Sequence, residues 1–242
     1  MKEEDTMASD GYSGPVAISR LSEGETSREP QNRRAITWLL EQSGGSVVVV
    51  TPRKNFDSEC IKKLVQHPCV THRTWKGLAA NSLSGHRVLY AWPNRQNLND
   101  LWGVGASALV VLEWNEAETT EWIADANPVQ LFEGRTVPAA NMEDEVNSEP
   151  LPNDIDGILE YVARMAAGYS SGLKWNEEDK LKADMMNRPE RWVSVTVDQV
   201  RAKCRELGMR PNDVDTVAGF LQRRKEGRRF NVRSSYRDFQ FK

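Results

Sequence analysis

Residues 46–51 read Ser-Val-Val-Val-Val-Thr, and this run decides the fold. Four consecutive β-branched residues suit an extended chain, and the absence of alternation marks a strand buried on both faces. Strands of that kind belong to parallel sheets covered by helices. On its N-terminal side, Arg34 to Gln42 reads as a helix with Ile36, Leu39 and Leu40 on one face, stopped by Ser43-Gly44-Gly45. On its C-terminal side the alternation continues. Helical spacing in Ser58 to His67 precedes a strand at Cys69 to Trp75. A short helix or turn at Lys76 to Leu83 precedes a strand at His86 to Trp92. A helix at Arg95 to Trp102 precedes a strand at Ala108 to Trp114, and a helix at Glu116 to Ala126 precedes a strand at Val129 to Phe132. Right-handed crossovers between such strands give a Rossmann-like open parallel sheet over residues 32–136.

Residues 1–31 are rich in Ser, Gly and Glu and read as a disordered acidic tail. Residues 137–153 combine proline, acid and small polar residues and read as an acidic linker. Residues 154–242 form a helical second domain. Within it, Ile155 to Ala167 and Glu177 to Met186 are amphipathic, and Trp192 to Thr196 is short and β-branched. Thr196 and Gln199 have capping-box spacing before a helix ending at Leu207-Gly208. Asn212 to Lys225 is the next helix. Arg228 to Phe241 alternates, with Phe230, Val232, Phe239 and Phe241 on one face, which predicts a hairpin turning at Ser234-Ser235. From about residue 174 onward, the order helix, short strand, helix, turn, helix, hairpin resembles a winged helix-turn-helix.

The net charge of −3 over 242 residues conceals a division. Residues 1–32 carry net −4 and residues 137–160 carry seven acidic side chains and no basic one. Residues 201–242 carry twelve basic and five acidic side chains. Asymmetry of this kind points to nucleic acid. Arg223, Arg224, Lys225, Arg228, Arg229, Arg233 and Arg237 fall within fifteen residues and are the candidate phosphate contacts. The acidic start of the same helix, Asp213 and Asp215, works against direct base reading there.

In open parallel sheets, ligands bind beyond the carboxyl ends of the strands. Those ends supply Arg53, Lys54, Lys76, Arg95 and Glu113 as a candidate phosphate-accepting rim. No Gly-x-x-x-x-Gly-Lys-Ser/Thr loop is present, and Gly103-Val104-Gly105 lies between a helix and a strand, the wrong order for a dinucleotide turn. The layout resembles a RecA-like helicase domain without its nucleotide loop, with Glu113 where an acidic strand end would stand. Cys60, His67, Cys69 and His72 are metal-ligand types within thirteen residues, but their spacing matches no common zinc pattern. Core packing accounts for both cysteines, so neither a metal nor a cofactor is expected. No Gly-x-Ser-x-Gly elbow or carboxylate pair is found.

Three cysteines make no disulfide framework, no stretch approaches ~20 apolar residues, and the acidic start is unlike a signal peptide. The expectation is a cytoplasmic, non-membrane, DNA-binding protein, a regulator or accessory subunit rather than an enzyme. Its α/β domain would dock a protein partner, a second copy or a phosphate-bearing ligand. The alternatives are a protein–protein adaptor that binds no nucleic acid, and an enzyme or sensor acting on a nucleotide or phosphorylated ligand.

Overall fold

The computed structural model describes residues 11–139, 151–169 and 172–242. The chain divides into two compact units, residues 1–144 and 145–242.

The first unit is an α/β sandwich. Its strands are β1 (Val16–Ser19), β2 (Val47–Thr51), β3 (Val70–Thr74), β4 (Arg87–Ala91), β5 (Ala108–Leu112), β6 (Val129–Phe132) and β7 (Arg135–Val137). They lie in the order β3-β2-β4-β5-β1-β6-β7, all parallel except for the β6–β7 hairpin. The helices are α1 (Glu29–Glu41), α2 (Glu59–Val65), α3 (Arg95–Asn99) and α4 (Glu116–Ala126). The four valines lie in β2, every residue of which is buried, as two-sided coverage requires. Alternate residues serve opposite faces. Val47, Val49, Leu89, Val110 and Leu112 meet Ala35 and Leu39 of α1 and Ile61 of α2. Val48, Val50, Val88, Leu109 and Val111 meet Leu98 of α3 and Trp122 of α4.

Three sequence expectations change here. Residues 11–31 belong to the folded unit and are not a disordered tail: Val16–Ser19 pairs with both β5 and β6 inside the sheet. The sheet therefore has seven strands rather than five, β1 and β7 being the additions, and the unit begins well before residue 32. Local caps act where sequence chemistry places them. The Ser58 side chain accepts from Ile61 N–H to start α2, and Asn115 accepts from Ala117 N–H to start α4. The first ten residues, and the greater part of the expected linker (140–150), lie outside the described residues.

The second unit contains α5 (Asn153–Ala167), α6 (Trp175–Asn187), α7 (Pro189–Trp192), α8 (Val197–Glu206) and α9 (Pro211–Lys225). The Thr196–Gln199 capping box forms reciprocally and starts α8. Gly208, at φ 68°, ends it in a conformation that glycine takes without strain. The stripes Ile158, Leu159 and Val162, then Val200 and Cys204, then Val214, Val217 and Leu221 close one core with Trp192.

Two expectations for this unit fail. Trp192 to Thr196 is not a strand; α7 and a turn occupy that place. Arg228 to Phe241 is not a hairpin either. It is an irregular tail with one 3-10 turn at Ser234–Tyr236. The alternation is real: Phe230, Val232, Phe239 and Phe241 are half-buried while Arg229, Asn231, Arg233, Asp238 and Gln240 are exposed. The error is in the partner. The tail's apolar face covers the helical core, with Phe230 5.8 Å from Phe220 and Phe241 5.5 Å from Tyr161 between ring centroids.

The tail's polar groups are met by side chains rather than by a strand ladder. Phe241 N–H donates to Asp184 at 2.8 Å, and the Asn187 amide donates to the carbonyls of Arg237 and Phe239. Asp184 is fully buried and also accepts from the Trp192 indole at 2.9 Å.

Candidate functional site

The carboxyl ends of the parallel strands form one edge of the first unit, and the chain changes direction there. From β1 the chain passes through α1 on one face toward β2. From β5 it passes through α4 on the other face and returns beyond β1 to β6. The crevice between the ends of β1 and β5 is thus the topological switch point, where open α/β sheets place ligands.

That crevice is filled by the protein's own side chains. Arg20, just after β1, donates to Glu113 at 3.2 Å, to Glu116 at 2.6 Å and to Gln130 at 3.2 Å. Glu113 is buried and also accepts from the Thr119 hydroxyl. The Gln31 amide donates to the carbonyls of Ser19 and Glu113, both at 2.8 Å. Arg28 donates to the carbonyls of Glu113 and Trp114, and its guanidinium lies 4.2 Å from the Trp114 ring.

A phosphate-binding loop would occupy residues between β1 and α1. Residues 19–26, Ser-Arg-Leu-Ser-Glu-Gly-Glu-Thr, keep the second glycine and the threonine of the Gly-x-x-x-x-Gly-Lys-Thr pattern. Ser19 replaces the first glycine and Glu25 replaces the lysine. Glu25 accepts from Ser22 N–H at 2.6 Å and pairs with Arg34. The loop therefore spends a backbone donor and a cation on its own carboxylate. This signal was present in the sequence but carries meaning only once Val16–Ser19 is known to be a strand.

The sequence rim divides accordingly. Glu113 belongs to the filled crevice. Arg95 points elsewhere: its guanidinium pairs with Asp125 at 2.6 Å, and its N–H donates to Glu118. Lys54 and Lys76 come together in a groove of about 490 Å³ beyond the ends of β2 and β3, lined also by His72, Arg73, Thr74 and Ser82. Arg53 is exposed next to Lys54 in the chain and does not line the groove. Arg73 also lines the groove, and sequence spacing does not single it out. Its side chain emerges from an edge strand, which periodicity does not distinguish from a central one.

His72 connects this groove with an aromatic row. The Thr51 hydroxyl donates to the Arg53 carbonyl at 2.7 Å and lies 2.7 Å from His72 Nε2. One hydroxyl carries one proton, so Nε2–H is the donor of the second bond. Burial, and then the Lys54 charge, hold the imidazole pKa below its usual value. The His72 ring centroid is 5.5 Å from Phe56, which is 6.1 Å from Trp92, which is 6.3 Å from Trp114. Trp92 has φ 57°, a strained conformation for an aromatic residue that precedes proline. Trp114 is 58% exposed.

The sequence cluster Cys60, His67, Cys69 and His72 does not assemble. Cys60 packs beside the α1–α2 core, Cys69 is exposed, and among the described residues no group of three His, Cys, Asp or Glu is placed to hold a metal ion.

In the second unit, the seven predicted cations separate into two groups. Arg228 pairs with Glu226, and Arg233 pairs with Asp179 while its guanidinium lies 3.9 Å from the Trp175 ring. Arg223, Arg224 and Lys225 donate to carbonyls, those of Gly219, Met185 and Val193. Arg229 and Arg237 are exposed. These last five face no carboxylate within ion-pair distance among the described residues. The acids at the start of α9 are engaged within the protein. Asp213 is 7% exposed, accepts from Leu173 N–H at 2.9 Å, and has its pKa raised by burial; Asp215 pairs with Arg201 at 2.6 Å.

Among the described residues, no helix is long and apolar enough to cross a membrane. Comparison with protein-family models, curated proteins and solved structures finds no match to this chain.

Proposed function

We propose that this chain is a nucleic-acid-binding protein, a regulator or accessory subunit, whose second unit contacts phosphates through a helix-turn-helix. In this reading α8, the turn at Leu207–Arg210 and α9 form the motif, and the clasped tail stands where a winged helix carries its wing. The α/β unit serves as a docking domain.

The observation that carries this reading is the sorting of charge around α9. Arg223, Arg224, Lys225, Arg229 and Arg237 keep positive charge uncompensated by carboxylates among the described residues. The two acids at the start of α9 are engaged internally, Asp213 by the Leu173 N–H and Asp215 by Arg201. Uncompensated cations on an exposed helix end and tail are what counterion release requires. Contacts of this kind fix a protein on the backbone without reading sequence.

The test is fluorescence anisotropy of a labelled duplex with the full chain, at 50 and 200 mM salt. Replacing Lys225, Arg229 and Arg237 by Ala should weaken binding about tenfold or more, alike for unrelated sequences, and lower the salt slope by about two to three. Unchanged affinity in that variant overturns the assignment. Absence of salt-sensitive binding by the native chain favours the adaptor.

A further inference from the structure

We infer that the carboxyl edge of the first unit is a binding surface for single-stranded nucleic acid, independent of the helix-turn-helix. Two features meet there. The groove beyond β2 and β3 is lined by Lys54, Arg73 and Lys76, and its lining contains no carboxylate. Those three side chains have no ion-pair partner among the described residues. A groove of this size with three uncompensated cations suits a run of phosphates.

The second feature is the row Phe56, Trp92 and Trp114, which leads from His72 across the ends of β2, β4 and β5. It ends in a tryptophan that is more exposed than core packing would leave it. Arg28 lies over one face of that ring and is held by two backbone carbonyls, so the indole is fixed in place. A positively charged groove on the same edge as an exposed aromatic ring, the two linked through His72 and Phe56, is an arrangement suited to unpaired strands, because stacking needs bases that are free of the duplex. Double-stranded DNA offers phosphates to the groove but no base face to Trp114. Charge complementarity therefore selects a polyanion, and the tryptophan selects single strands among polyanions.

The strain at Trp92 fits the same assignment. A tryptophan held at φ 57° before a proline costs energy that the surrounding structure must sustain, and such outliers cluster at binding sites. Here the conformation places the ring between Phe56 and Trp114 and keeps the row continuous.

The experiment uses the full chain with a labelled 20-nucleotide oligothymidine, the matching duplex, and heparin as a competitor without bases. Three variants are compared: Lys54→Ala/Arg73→Ala/Lys76→Ala, Trp114→Ala, and the Lys225/Arg229/Arg237 variant above. All the changed residues except Arg73, Lys76 and Lys54 of the groove set lie outside it, and every one is exposed, so circular dichroism and the urea midpoint should stay native. The groove variant should bind the single strand at least tenfold more weakly with a salt slope lower by about two. Trp114→Ala should weaken it about tenfold while leaving heparin and duplex affinity unchanged. Native single-strand affinity in the groove variant overturns the proposal. So does equal loss of oligothymidine and heparin binding in Trp114→Ala, or single-strand binding lost only in the Lys225/Arg229/Arg237 variant. In the last case the helix-turn-helix reading survives alone. Loss in the groove variant with a native response in the α9 variant separates the two surfaces the other way.

Discussion

The crevice between β1 and β5 and the groove beyond β2 and β3 lie on the same edge of one sheet, yet they are built oppositely. In the crevice two of the three cations are paired with carboxylates, Arg20 with Glu113 and Glu116 and Arg34 with Glu25, while Arg28 is held by two carbonyls against the Trp114 ring. In the groove Lys54, Arg73 and Lys76 stand without ion-pair partners among the described residues. The usual ligand position of an open α/β sheet is used here to fasten β1, its loop and α4 together. Charge that could serve an external anion is displaced toward the sheet's outer strands. Fold topology locates where a ligand would ordinarily bind; side-chain pairing decides whether anything is left to bind it.

This contrast is open to direct attack. The largest effect is expected from Arg20→Ala. It strands Glu113 in a site where little solvent reaches it, and removing one member of a buried pair costs about 3 kcal/mol. Urea denaturation should show a correspondingly lower midpoint. An unfolding free energy within about 0.5 kcal/mol of the native chain's would mean that the crevice network does not stabilise the fold.

An intermediate effect separates the two sites by pH. The Arg34 guanidinium holds the Glu25 carboxyl below its usual value, so this pair's contribution is present above about pH 4.5 and is lost as pH falls further. His72 is held below its ordinary 6.5 by burial and by Lys54, so the fold favours the neutral ring. Its contribution is present above about pH 6.5 and is lost as pH falls below that. Urea midpoints measured from pH 8 to pH 2 should therefore decline in two stages, and His72→Gln should flatten the first while sparing the second. A first stage that persists in His72→Gln assigns it to other groups.

The smallest effect on stability is expected where binding loses most. Replacing Lys54, Arg73 and Lys76 together should change the unfolding free energy from urea denaturation by less than about 0.5 kcal/mol, because unpaired surface cations contribute little to folding. A larger loss would show that the groove, like the crevice, is structural.

The sequence makes some of this legible and hides the rest for physical reasons. Val47 to Val50 announce a two-sided strand because nothing polar interrupts them. The Thr196–Gln199 box announces α8 because capping is a local interaction. By contrast, Val16–Ser19 is four residues long, contains a small and a polar residue, and sits among Ser, Gly and Glu. Ser19 is buried in the sheet because its hydroxyl and carbonyl both bond Gln31, a contact that local pattern does not encode. With β1 hidden, the switch point is hidden too, and Glu113 reads from the sequence as part of a phosphate-accepting rim. The tail's packing escapes the sequence for a related reason. Period-two alternation reports that one face is covered and is silent on what covers it. Of the seven predicted cations, sequence spacing found the cluster, while the pairing of Arg228 with Glu226 and of Arg233 with Asp179 depended on chain folding.

The position of β3 has one more consequence. It is the outermost strand on its side of the sheet, and such strands invite pairing with a second chain. Arg73 lies beside its centre, with Lys76 just beyond its end. Two copies approaching edge to edge would bring these like charges together. The opposite border is a strand of three residues beginning with Arg135, too short to template much. The cations that leave the groove open to an anion thus also guard the sheet against self-association, and neutralising them should make aggregation easier even where the fold is untouched.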